Sequence, residues 1–235
     1  MELFHAEVAR ISDLTHDVRE VELRLIEPRD IQFKAGQFIS FEAPSSGRFP
    51  FVTRPYSIAS PPSQSDHVTL VFNLVTGGPG STYLYGLREG DKVQFKGPAG
   101  SFYLKDDGRD LLLVATGTGI APLRSMLLSE LTRESARQVT LIWGLRSQRD
   151  LYYQSELAGL RQAHPRFSCT ITLSRPEPGW AGREGRVTAV IEKEIASVKN
   201  LSVYLCGNGG MIKDATAVLN GKGLCPIHRE KYYDE

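Results

Sequence analysis

A chain of 235 residues carrying 28 Lys and Arg against 27 Asp and Glu has a formal charge of +1, too even for a nucleic-acid or membrane-surface binder, which needs a basic excess or stripe. No window approaches ~18 uninterrupted apolar residues, so no membrane-spanning helix is expected, and Met1-Glu2-Leu3-Phe4-His5 lacks the basic and apolar blocks of a leader. Cys169, Cys206 and Cys225 are odd in number and widely spaced; they suit neither a disulfide framework nor an iron–sulfur or zinc run, so no metal is expected and a reducing cytoplasm is the expected home.

Residues 3–100 read as strands and turns. Phe4–Ile11 and Val18–Leu25 alternate polar and apolar residues, as half-buried strands do. Gly36–Phe41, a strand through Arg54-Pro55-Tyr56-Ser57, and Val68–Val75 follow. Turn clusters separate them at Glu27–Asp30, Ala43–Gly47 and Ser60–Asp66. This rhythm of short strands suggests an antiparallel barrel. Arg54 and Tyr56, two apart on an extended segment, point to one side. A guanidinium fork matches two phosphate oxygens and a Tyr offers a flat face, so the pair suits a ligand with a phosphate and a ring; a plain strand with a core Tyr and a surface Arg is the alternative. In Thr76–Leu84 the glycines let a backbone approach a ligand, and Ser81 or Thr82 can cap a short helix running to about Leu87 whose N-terminus favours an anion. A glycine hairpin with a capped surface helix reads equally from these residues. The glycines of Gly97–Gly100 are expected to serve turns.

The polar break Asp106–Asp110 changes the texture. Beyond it strands alternate with helices, the pattern of a parallel sheet covered on both faces. Leu111–Ala115 is a continuous apolar strand. Gly117-Thr118-Gly119-Ile120-Ala121-Pro122 then turns into a helix to about Thr132, with Pro122 in the first helical turn. Strand, glycine turn and helix N-terminus form the place where such folds bind a dinucleotide pyrophosphate. Val139–Trp143 and Phe167–Leu173 are the next strands. A site built for NAD puts a carboxylate near the end of the second strand; here Arg146 and Arg149 follow it, and Ser174-Arg175 and Arg186 come after the third. Solvated surface arginines are the alternative. Asp150–Ala163 is expected to be a helix, with Tyr152 and Tyr153 packing, and Trp180 to pack in its loop. Leu201–Leu205 is a fourth buried strand, ending Cys206-Gly207-Asn208, and Met211–Leu219 is the last helix. Arg229–Glu235 is either a charged, disordered tail or part of a site.

Arg-x-Tyr-Ser at 54–57, Gly117–Pro122 and Tyr204-Leu205-Cys206-Gly207-Asn208 stand in the order and spacing of three signatures, and with them the chain resembles the ferredoxin–NADP reductase family. The resemblance implies a six-stranded antiparallel flavin barrel over residues 1–105 and a parallel α/β domain binding NAD(P) over 106–235. It implies FAD, with Arg54, Gly80 and Ser81 at the pyrophosphate, Tyr56 on the isoalloxazine, Val75 along the flavin, and Ser57 hydrogen-bonding near N5. For the nicotinamide nucleotide it implies Thr116, Gly117, Gly119 and Pro122, with Cys206 positioned against the nicotinamide rather than attacking it. Arg146 and Arg175 match positions that grip the 2′-phosphate in NADP-preferring bacterial members, where an Arg like Arg186 is often near; with Ser174 they would converge on one phosphate, which favours NADP(H) over NAD(H). Glu230, Tyr232 and Tyr233 match the family's Glu-x-aromatic-aromatic end, which this chain extends by Asp234-Glu235.

The implied reaction is hydride transfer between nicotinamide C4 and flavin N5, with the two rings meeting in a crevice between the domains and the protein orienting them and excluding water. The expected electron partner is a ferredoxin or flavodoxin, and the expected state a monomer. Three cysteines cannot ligate a [2Fe–2S] cluster, so the electrons must go to a separate protein or a small molecule; an oxygenase component and then free flavin are the alternative outlets. A nucleotide-binding subunit or regulatory module without turnover is the alternative class.

Overall fold

Alternation of apolar and polar residues in the first hundred positions buries one face of a sheet, and continuous apolar runs beyond it bury both faces. The computed structural model describes residues 1–45 and 49–233. They divide into two compact units, Met1–Leu104 with Arg124–Ser129, and Lys105–Leu123 with Glu130–Glu235. Ser46 and Gly47, which end the turn expected at Ala43–Gly47, and the Asp234-Glu235 extension lie outside the described residues.

In the first unit, strands β1 (Glu2–Asp13), β2 (Val18–Glu27), β3 (Phe38–Pro44), β4 (Phe51–Ser57), β5 (His67–Asn73) and β6 (Lys92–Ala99) form one antiparallel sheet in the order β4-β3-β6-β1-β2-β5. A bridge between Ile58 and Leu70 joins the chain just past β4 to β5 at the opposite edge, so the sheet curls toward a barrel. Phe4, Leu23, Ile39, Phe41, Leu70 and Phe95 fill it and are essentially buried. Each such side chain contributes about 1.5–3 kcal/mol of transfer free energy.

The sixth strand differs from the sequence expectation of glycine turns at 97–100. Val93 and Phe95 are buried between exposed Lys92, Gln94 and Lys96, a plain period of two. Gly97 lies inside β6, where a Cβ would come within 2.7 Å of Ile39 Cγ2; it lets β3 and β6 close up. Gly100 does turn, at φ +102°. The helix after the glycine loop, α1 (Pro79–Tyr85), also departs from expectation. Its N-cap is Gly78, with no side-chain cap, so neither Ser81 nor Thr82 caps it. Pro79 starts the helix early because its fixed φ and missing N–H suit the first position.

In the second unit, β7 (Asp110–Thr116), β8 (Val139–Leu145), β9 (Phe167–Leu173), β10 (Arg183–Glu184), β11 (Leu201–Asn208) and β12 (Ile227–Tyr233) form a parallel sheet in the order β10-β9-β8-β7-β11-β12. The helices of this part of the chain are α2 (Ile120–Leu131), whose Arg124–Ser129 stretch belongs to the first unit, α3 (Gln154–Ala163), α4 (Val187–Glu194) and α5 (Gly209–Lys222). Leu112, Val114, Ile142, Val203 and Leu205 pack on one side with Val190 and Ile191 of α4 and Ala215 and Leu219 of α5. The intervening Leu113, Trp143 and Tyr204 are fully buried as well. The winding runs from β7 through β8 and β9, then returns to β11 on the other flank, so it reverses between β7 and β11. In open α/β sheets that reversal opens the crevice in which ligands bind.

Three elements were not anticipated or were placed elsewhere. The helix expected from Asp150 begins at Gln154; Asp150 instead closes a 3-10 turn over Gln148–Asp150, its carboxylate accepting from the Ser147 amide (2.8 Å) and hydroxyl (2.9 Å). The helix α4 was not anticipated, although Val187, Val190 and Ile191 recur at helical spacing. The C-terminal stretch is β12 rather than a disordered tail, paired with β11. Tyr152 packs as expected, edge-on to Trp143 at 4.7 Å. Among the described residues no helix is long and apolar enough to cross a membrane.

Candidate functional site

In the first unit the structure gathers Arg54, Tyr56 and Gly80. Arg54 and Tyr56 lie two apart on β4, opposite Phe41 and Ile39 of β3. A Cβ on Gly80 would stand 2.6 Å from Tyr56 Oη and 2.8 Å from Arg54 Cγ. A side chain at Gly80, in the first turn of α1, would have to push Tyr56 or the Arg54 stem aside, so glycine lets the helix start pack directly against both. Arg54 is exposed, and its guanidinium donates to the neighbouring Thr53 carbonyl at 3.0 Å. Tyr56 is held edge-on between Phe41 (5.9 Å) and Phe72 (5.6 Å). Burial pushes its phenol up to about 12, against the pull of the Arg54 charge, so it is a neutral ring at any ordinary pH.

Val75, in the loop after β5, meets Ser81 in the first turn of α1. The Ser81 hydroxyl accepts from the Val75 amide at 3.1 Å and lies 3.3 Å from the Val75 carbonyl and 3.1 Å from that of Gly78. It therefore braces the loop from within, while Val75 stays about half exposed. Ser57 is buried at the carboxyl end of β4. An exposed cation, a helix start built on glycine and a flat neutral ring suit the phosphates and the ring of a flavin dinucleotide, so these residues fit FAD.

In the second unit the glycine turn Gly117–Gly119 and the Cys206-Gly207 pair are pressed together at the reversal point between β7 and β11. A Cβ on Gly119 would overlap the Cys206 carbonyl and come within 2.8 Å of the Gly207 amide nitrogen. One on Gly207, at φ +134°, would overlap the Thr116 hydroxyl. Thr116 Oγ1 accepts from the Asn208 amide at 3.1 Å and so ties the two loops together. Asn208 caps α5 through Met211 at 3.0 Å. Pro122 sits in the first turn of α2. Trp143 Nε1 (3.0 Å) and the Tyr152 hydroxyl (3.3 Å) both donate to the Gly117 carbonyl. These two fixing residues escaped the sequence reading, because nothing in the chain's local pattern shows that they converge on one carbonyl.

Cys206 is fully buried and stands opposite Glu230 in the β11–β12 register. Burial first, and then the Glu230 charge, push the thiol well up; the Tyr232 hydroxyl opposes them. Burial also raises the Glu230 carboxyl. A neutral thiol is a small, soft wall rather than a nucleophile. Cys206 is thus brought to Glu230 and Tyr232, which follow it by 24 and 26 positions in the chain.

The remaining predicted residues gather at the carboxyl ends of β8, β9 and β10. The Arg175 amide donates to the Arg146 carbonyl at 2.7 Å, and the Ser174 amide to the Leu145 carbonyl at 3.0 Å. Gly185, just before Arg186, donates to the Leu173 carbonyl at 2.8 Å. Arg146, Arg175 and Arg186 are exposed, and among the described residues none of their guanidinium groups makes an ion pair. Three unpaired cations on one sheet edge fit a phosphorylated nucleotide.

Residues 5–103 match the family model of the oxidoreductase FAD-binding domain, and residues 113–217 that of the oxidoreductase NAD-binding domain. Ferredoxin–NADP reductase B of Sorangium cellulosum (strain So ce56) is 34% identical over 242 residues, covering 98% of this chain and 98% of that protein. The aromatic O-demethylase reductase subunit of Amycolatopsis sp. (strain ATCC 39116 / 75iv2) is 34% identical over 97% of this chain and 68% of its own length. Among solved structures, the Amycolatopsis cytochrome P450 reductase GcoB superimposes with a TM-score of 0.89 at 31% identity, over 100% of this chain and 70% of that one. With both family models matched and a relative covered almost end to end, the chain is an FAD- and NAD(P)-binding oxidoreductase, and it belongs to the ferredoxin–NADP reductase family.

Proposed function

We propose that this protein takes hydride from NADPH onto FAD and delivers the electrons singly to a ferredoxin or flavodoxin, as a cytoplasmic monomer. The observation that carries the reading is that one chain brings together Arg54, Tyr56 and Gly80 in one unit and Gly119 and Cys206 in the other, each group around a glycine whose added Cβ would come within 3 Å of its neighbours. Residues 1–105 would form the flavin domain and 106–235 the nicotinamide domain. Bound FAD would supply the conversion of a two-electron hydride into two single electrons. Arg54 and the Gly80-Ser81 turn would hold its pyrophosphate, Tyr56 and the Val75 backbone would pack the ring, and Ser57 would hydrogen-bond near N5. Thr116, Gly117, Gly119 and Pro122 would seat the nicotinamide nucleotide on bare backbone at a helix start. Cys206 would limit how the nicotinamide lies, with Glu230 and Tyr232 closing off water.

The relatives support the outlet, one being named a ferredoxin–NADP reductase and matched over almost its whole length. A second reading, the reductase of an oxygenase system, is supported by the O-demethylase subunit and by the reductase component DmpP of a Pseudomonas phenol 2-monooxygenase, of which this chain spans 66%. Purified protein tests both. A yellow protein that NADPH bleaches without air, and that then reduces ferredoxin or flavodoxin faster than free FMN, is the expected result. Tight nucleotide binding without bleaching would leave only a binding module.

Preference for NADPH rests on the three unpaired arginines. Arg175→Ala is expected to weaken use of NADPH by about 1.5–3 kcal/mol, the size of a hydrogen bond to a charged group, and to spare NADH. Steady-state kcat/KM with each cofactor measures it; equal losses would remove Arg175 from specificity.

A further inference from the structure

Arg146 and Arg175 lie on different loops, and nothing in their own side chains holds them together. Two guanidinium groups brought to one spot repel until an anion arrives, so a pocket made of them must be held by something else. Their backbones meet through the Arg175 amide and the Arg146 carbonyl at 2.7 Å. Past that bond the loop is Pro176-Glu177-Pro178-Gly179, with Gly179 at φ +92°. Two prolines remove two backbone donors, so this loop has few ways to fasten itself.

Gln148 fastens it. Its Nε2 donates to the Glu177 carbonyl at 2.9 Å, and its Oε1 accepts from the Glu177 amide at 2.8 Å. One side-chain amide thus serves both backbone groups of one loop residue, as a neighbouring strand would. Gln148 is itself steadied by the 3-10 turn that Ser147 and Asp150 close. It follows Arg146 by two positions, and Glu177 follows Arg175 by two. The clasp therefore ties the two arginine-bearing segments a second time, just beyond the Arg146–Arg175 bond.

We propose that Gln148 is a specificity-determining positioning residue, which presets Arg146 and Arg175 for a ribose 2′-phosphate by clasping the loop after β9. The proposal rests on the NADPH reading above. It assigns Gln148 no contact with the nucleotide. Its contribution is to order the two cations before the phosphate binds, so that binding does not carry that entropic cost. The pyrophosphate and nicotinamide parts of the cofactor gain nothing from it, since the glycine turn and Cys206 lie at other strands of the sheet, and 5′-AMP gains nothing because it lacks the phosphate that the two cations would meet.

The test uses the FAD-loaded protein and Gln148→Met, which keeps the side chain's length and removes both hydrogen bonds. 2′,5′-ADP and 5′-AMP are titrated by calorimetry, with KM and kcat measured for NADPH and NADH. The expected result is a Kd for 2′,5′-ADP raised about tenfold, as loss of two neutral hydrogen bonds allows. 5′-AMP binding, KM for NADH and kcat stay at the parent values, and KM for NADPH rises alone. The parent's Kd for 2′,5′-ADP retained in the variant, or an equal weakening of both ligands, would overturn the proposal. A parent protein that binds the two ligands alike would instead remove the 2′-phosphate pocket, and the clasp's role with it.

Discussion

Gly119→Ala is expected to slow reduction by NADPH about a hundredfold in kcat/KM while leaving the flavin in place. The added methyl would overlap the Cys206 carbonyl and lie 2.6 Å from its carbon and 2.8 Å from the Gly207 nitrogen. All three are main-chain atoms of β11 and its end, so no rotamer change relieves the clash. Gly119 is not among the residues with positive φ, so the cost is steric rather than conformational. Relief requires the glycine turn to lift away from β11, or β7 and β11 to part where Thr116 and Asn208 join them. Overpacking a well-filled site costs about 1–3 kcal/mol, and backbone on every side places this case at the upper end. About 3 kcal/mol lost from nucleotide binding lowers kcat/KM for NADPH by roughly a hundredfold. Anaerobic bleaching by NADPH measures it, with dithionite as a reductant that does not need the site. Bleaching at the parent rate would show that the turn does not seat the nucleotide.

Gly80→Ala is expected to release the flavin. Helix propensity alone argues the reverse, because Ala in place of Gly inside α1 stabilises by about 1 kcal/mol. Contact decides the sign. The new methyl would stand 2.6 Å from Tyr56 Oη, 2.8 Å from Arg54 Cγ and 2.9 Å from Arg54 Cβ. Arg54 Cβ is fixed by β4, and the Tyr56 ring is wedged between Phe41 and Phe72. Neither can retreat without shifting the strand or the ring that is proposed to face the flavin. An overpacking cost of about 1–3 kcal/mol corresponds to a roughly 5- to 150-fold weaker FAD complex. Flavin absorbance remaining after desalting reads this directly, beside the thermal midpoint. A variant that keeps its flavin and melts higher would mean that α1 gives way and that Gly80 is not part of the cradle.

The same two glycines show why part of the site could be read from the chain and part could not. Gly80 and Gly119 stand out in short motifs, yet the reason each must be glycine is a partner far away in sequence: Arg54 for one, Cys206 for the other. Ser81 reads from the sequence as a possible cap, because a hydroxyl near a helix start satisfies that pattern, yet it lies inside α1. The placement of Pro79 moved the start and turned the hydroxyl toward Val75 and Gly78. Gly97 was read as a turn for a similar reason, since its crowding against Ile39 belongs to another strand.

What the amino-acid order determined by itself was periodicity and chemistry: alternation that makes Val18–Glu27 a one-faced strand, the unbroken apolar run that buries β7 on both sides, and the motifs that carry guanidinium, glycine and thiol. These depend on neighbours two to four residues away, and such short-range preferences are written into the chain directly. The tertiary structure alone decided who faces whom. It set Glu230 opposite Cys206, turned the tail into β12, converged Trp143 and Tyr152 on the Gly117 carbonyl, and gave Gln148 the backbone of Glu177 to hold. Register and close approach depend on pairing and packing over long separations, which no local window contains.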